Sequence, residues 1–110
     1  MNEKSHDAKN RSTGGTLIRL LEDSEPGVRW NAGVGLVAIG KNAVAPLLLA
    51  IIDRSADFAI IEGARHVMHE YCRAPWGESL RPVYEALNSH EAGESAAMAA
   101  YNALQKWEMP

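Results

Sequence analysis

One cysteine, Cys72, is all the chain contains in 110 residues. That excludes an internal disulfide framework and suits a reducing compartment, although one odd thiol can still pair between chains. An excess of positive charge is also missing. Eleven Lys and Arg stand against fourteen Asp and Glu, a formal net charge of −3, so no net field draws the chain onto nucleic acid or an anionic membrane. Nor is there a lysine or arginine stripe of the kind that tracks a phosphate backbone. No apolar run approaches the roughly 18 residues that a membrane span needs, and the N-terminal MNEKSHDAKNRSTGG has no apolar h-region. These absences predict a cytoplasmic protein, neither exported nor inserted in a membrane. A glycine loop able to cradle phosphate is lacking too: Gly33 and Gly35 fall inside a predicted helix, where they allow close helix packing. Around Cys72, His69 is three residues away and Arg73 is adjacent, but no third, orienting group completes a nucleophile's setting. The sequence therefore assigns no catalytic residue and no cofactor.

What the chain does have is helical periodicity, repeated. Ser24 to Ile39 reads as one helix, with Ser24 as cap, Glu25 at the positive end, Pro26 at the first helical position and Gly40 closing it with positive φ. Its core face is Val28, Ala32, Gly35, Leu36 and Ile39, on a 3.6-residue period. Before it, Leu17, Ile18, Leu20 and Leu21 form a short apolar helix. After it, Ala43 to Asp53 and Ala59 to Tyr71 make a second helical pair, and Ser79 to Asn88 with Glu91 to Trp107 a third. The repeat can be counted. Leu80 to Leu87 lies 36 residues after Val44 to Ile51, placing Pro82 on Pro46 and Ala86 on Ala50. Val28, Ala32, Leu36 and Ile39 correspond to Ile60, Ala64, Met68 and Tyr71, then to Ala96, Ala100, Leu104 and Trp107. Trp107 would seal the open end of such a stack. Residues 1–13 have too little apolar content to offset the entropy of ordering and are predicted to be a disordered tail. Residues 14–110 form the domain, in units of about 14–40, 41–73 and 74–110.

The stretch EDSEPGVRWNAGVGLVAIGKNAVAPLLLAIID resembles a HEAT-like repeat of the type named after phycobilisome chromophore lyases. Asp23, Val28, Arg29, Ala32, Leu36, Ile39, Gly40, Ala43, Val44 and Leu47 stand at the family's recurrent positions. The resemblance implies an all-α fold, a short right-handed α-solenoid of three helical hairpins and six helices, with frequent use in protein binding. It does not imply lyase chemistry.

In such a stack the second helices line the concave surface, so the side away from each core face is where a partner would sit. At 100° per residue that side carries Trp30, Val34 and Val37 in unit one, Glu62, Arg65, His66 and His69 in unit two, and Glu94, Met98 and Tyr101 in unit three. The expected function is a non-catalytic protein-interaction module or small scaffold. Its partner is another protein, with a homodimer as one form, since unprotected solenoid ends favour self-association. The alternative is a metal-binding enzyme or a chromophore-lyase relative. Glu62, His66 and His69 fall at i, i+4 and i+7, three candidate ligands on one helical face, although the same spacing suits a solvated face with a Glu62 to His66 contact. His90 and Glu91 resemble the His-Glu motif of deoxyhypusine hydroxylase, a HEAT-repeat enzyme whose paired motifs hold two irons. Here the motif stands about two turns before the family's register.

Overall fold

The computed structural model describes residues 14–108; the predicted tail, residues 1–13, lies outside them. Among the described residues the chain is all-helical, with no strand. Residues 14–20 are helical and lead into α1 (Pro26–Ile39). Pro26 opens α1 because its fixed φ suits the first turn, where a missing N–H costs nothing. The cap position is Glu25 rather than Ser24, and no side chain caps it; Asp23 instead accepts the Glu25 N–H at 2.9 Å. Gly40 ends α1 with φ +74°, which L side chains rarely adopt, and its N–H returns to the Leu36 carbonyl. A 3₁₀ turn (Gly40–Ala43) then leads into α2 (Val44–Asp53). Asp57 caps α3 (Phe58–Cys72), accepting the Ala59 N–H at 2.9 Å. A second 3₁₀ turn (Glu78–Leu80) precedes the short α4 (Arg81–Leu87), and α5 (Ala92–Glu108) follows.

α2 organises the packing. Val44, Leu47, Leu48, Ala50 and Ile51 are all buried, and Ile52 packs partly on the same core. At 3.6 residues per turn these side chains cover about 200° of the helix, more than one neighbour can shield. The first two units meet as the repeat suggests. α1 lies on α3, and the Tyr71 hydroxyl donates to the Leu36 carbonyl across the join at 2.7 Å. Leu17 and Leu21 come close enough to Gly35 and Gly63 that a Cβ at either glycine would stand 2.9 Å from a leucine methyl. Segment 14–20 also flanks α2, forming a cleft between Gly15, Ile18, Pro46 and Leu49. The turns before α1 and α3 are tied by Arg54, whose guanidinium reaches Glu22 at 2.6 Å. Hydrogen bonding to Asp57 holds the Glu22 carboxyl above its ordinary value, and the same bond pulls Asp57 below its own.

The third unit departs from the expected stack. α5 packs on α2 and α4, and α4 packs on α3, whereas any contact between α3 and α5 is marginal. Helices α2, α3, α4 and α5 therefore close into a ring. Two features cause this. α4 has only seven residues, too few to cover α2. α5 offers alanine: Ala96 and Ala100 are buried and Ala99 and Ala103 partly so, which lets it approach α2 closely. One end of the ring is shut by Trp76, 5.3 Å from Tyr71 and 6.1 Å from Trp107 between ring centroids. Trp107 thus packs at an end of the core.

One sequence expectation needs correction. The helical run Pro26–Asp53 is long and apolar enough, by length and composition alone, to cross a membrane. The run is not one uninterrupted helix: ten of its 28 residues are α2, and Gly40 with its 3₁₀ turn divides it.

Gly77 is fixed by contact, since a Cβ there would overlap the Tyr71 carbonyl. Gly77→Ala is expected to cost about 1–3 kcal/mol, lowering the thermal midpoint by roughly 5–20 °C. Gly27→Ala, with nothing within 4 Å of the added carbon, should stabilise the first turn of α1 by up to about 1 kcal/mol. Thermal denaturation followed by circular dichroism reads both, and equal effects would contradict the turn geometry.

Candidate functional site

The predicted contact residues do not form one surface. Trp30 and Val34 on α1 are exposed at 58% and 48%. Glu62 and His66 on α3 stand beside them, with the His66 ring 4.7 Å from that of Trp30. Between the two helices lies a cleft of about 280 Å³, walled by Leu21, Pro26 and Trp30 and rimmed by Arg29, Glu62 and His66. Gly33 and Gly63 also line it, and at Gly63 the space a side chain would take is filled by Leu21. Val37, by contrast, is partly buried against the core. Glu94 and Met98 line a different groove, of about 630 Å³, between α4 and α5, and Tyr101 is exposed on α5. Since α5 packs on α2 and α4 rather than on α3, the concave face expected of three second helices is divided.

The polar part of the α3 face is neutralised within itself. Glu62 pairs with Arg65 one turn on, His69 meets Glu70 at 3.3 Å, and Arg73 reaches Glu70 at 3.6 Å. The His69 ring also lies 5.6 Å from Tyr84 on α4. Exposed pairs of this kind contribute little stability, about 0–1 kcal/mol each, but they leave few charges unanswered. They also divide the candidate ligands. Glu62 is engaged by Arg65, His66 faces Trp30 and His69 faces Glu70, so the i, i+4, i+7 spacing does not gather them. His90 lies in the turn before α5 and lines a separate cleft with Phe58, Arg65 and Leu87, while the Glu91 carbonyl accepts the Ser95 N–H at 3.0 Å. Among the described residues, no group of three or more His, Cys, Asp or Glu side chains is placed to hold a metal ion. At Cys72, half-buried at the end of α3, burial pushes the thiol up, the opposite of what a nucleophile requires.

Two exposed apolar residues were not among the predicted contacts. Phe58, the one phenylalanine, is 75% exposed at the first position of α3, and Leu49 is 53% exposed on α2. The signal for Phe58 was present: Asp57 caps α3, and Phe58 then falls off the period of Ile60, Ala64 and Met68. Leu49 gave none, because α2 reads as apolar on every side.

No protein family, curated protein or solved structure gives a significant match to the chain. Function therefore rests on the surface itself.

The separation of the histidines carries a direct test. Elemental analysis of tag-free protein purified without chelator is expected to find iron and zinc well below one equivalent. Stoichiometric metal that disappears on changing His66 and His69 to alanine would contradict this geometry.

Proposed function

We propose that this protein is a non-catalytic interaction module that docks another protein through the outward side of α1 and its border with α3. One observation carries this reading. The exposed residues of α1 after Pro26 are Gly27, Trp30, Asn31, Val34 and Ala38, a row without a charged side chain along an edge helix. Single exposed hydrophobics are ordinary, but a contiguous neutral row that includes a tryptophan is what an interaction surface presents. Trp30 is the natural anchor, being large and amphipathic beside a cleft its neighbours leave open.

The scaffold behind this face is a HEAT-like pair, residues 14–72, consistent with the resemblance at Asp23, Val28, Arg29, Ala32 and Leu36. On this reading the third hairpin serves as an end cap that folds over α2 instead of extending the solenoid. Terminal units of repeat proteins need such covering to stay soluble. A cytoplasmic setting fits the lone half-buried thiol and the acidic balance.

The reading is tested by affinity capture from the native host with wild-type protein, Trp30→Ala, and Glu85→Ala as a control on the exposed side of α4. Trp30→Ala is expected to weaken the specific complex by about tenfold or more, with Glu85→Ala unchanged. Equal retention of the same partner by all three would remove α1 from the role.

A further inference from the structure

α4 ends at Leu87 after seven residues, and the turn that follows it, with the start of α5, forms a cleft with the first two turns of α3. The cleft measures about 450 Å³, inside the range of about 300–1,000 Å³ in which small-molecule sites fall. Ile61 and Leu87, both buried, give it an apolar floor. One wall is fixed. The start of α5 lies so close to the turn before α3 that a Cβ at Gly93 would stand 2.7 Å from the Ser55 carbonyl oxygen. The rim carries the chemistry. Phe58, 75% exposed, offers an aromatic face that the core does not use. Arg65 is a held cation: its Nε is buried without an acceptor among the described residues and its Nη2 donates to Glu62, which leaves Nη1 as the remaining donor group. His90 adds an imidazole from the turn before α5. No Asp or Glu among the described residues lines the cleft. Asp57 is turned to the Ala59 N–H, Glu62 to Arg65 and Glu94 to the groove between α4 and α5, while Glu91 is exposed outside it.

An aromatic face, one arginine and no acid select a ring that bears a negative charge. The planar guanidinium fork matches a carboxylate, and a single arginine that already shares its charge with Glu62 balances a monoanion rather than a phosphate dianion. We propose that this cleft binds a small aromatic carboxylate, its ring on Phe58 above Ile61 and Leu87 and its carboxylate on Arg65 and His90. The site is separate from the α1 face and does not depend on the docking role proposed there.

Nuclear magnetic resonance titration of the full chain with 3-phenylpropanoate tests the site. Saturable shifts are expected at the amides of Phe58, Arg65, His90 and Gly93, with Kd on the order of 1–10 mM, as a ligand of that size allows. The amide of the same acid, which keeps the ring and loses the charge, should bind about tenfold more weakly. Arg65→Met keeps an apolar stem in place and should bring the acid down to the level of the amide while leaving the amide unchanged, a difference that a merely structural role for Arg65 would not produce. Phe58→Ala, at an exposed position, should weaken acid and amide alike by about threefold to tenfold. Acetyl-Gly-Phe with a free carboxylate distinguishes the source of the acid: tighter binding than 3-phenylpropanoate assigns the site to a chain terminus, and equal or weaker binding to a free acid. No saturable shift by about 20 mM, equal affinity for acid and amide, or shifts centred on Trp30 instead of Phe58 would each overturn the proposal.

Discussion

The burial of α2 is the constraint on which the rest of the structure depends. Val44, Leu47, Leu48 and Ile51 are withdrawn from solvent, and each such side chain contributes about 1.5–3 kcal/mol. Together that is comparable to the whole net stability of a small domain, about 5–15 kcal/mol. A chain of this length cannot leave such a helix half covered. Segment 14–20 flanks it, and α3 and α5 take other sides, so α5 is drawn away from the place a regular stack would give it. The glycines and alanines then fall into order: Gly35 and Gly63 admit leucines of the first hairpin, while Ala96 and Ala100 bring α5 close.

The same constraint sets where the surface is unfinished. What remains outward on α3 is Phe58 at its first position and, beyond it, a row of paired charges. α1 is differently placed. It buries Ala32, Gly33 and Leu36 against its neighbours, yet no helix among the described residues covers Trp30 and Val34. A neutral outward side on an edge helix is the feature that neither stability nor solubility explains, and it is the basis for assigning this protein a docking role.

The boundaries of the helices were legible in the sequence to within a residue or two, because Pro26, Gly40, Asp57 and the apolar period fix them locally. The buried positions Ala32, Leu36, Ile60, Ala64, Met68, Tyr71, Ala96 and Ala100 follow from the same period. The arrangement of the third hairpin was not legible, since matching Leu80–Leu87 to Val44–Ile51 compares local patterns and says nothing of which helix lies beside which. A warning was present in α2, whose apolar character all round marks a helix needing several neighbours. The error carried into the candidate site. Met98 and Glu94 were grouped with Trp30 and His66 because α5 was expected beside α3. The candidate metal ligands on α3 are not gathered for a different reason: residues on one helical face can each find a nearer partner, as Glu62 does in Arg65 and His69 in Glu70.

The most direct test is the pattern of interhelical nuclear Overhauser effects in solution. Contacts of α5 with α2 and α4, centred on Ala96 and Ala100, should dominate, with contacts between α5 and α3 scarce. A continuous series linking α1 to α3 and α3 to α5 would contradict the closed ring. It would return Met98 to the same face as Trp30 and restore the regular solenoid in its place.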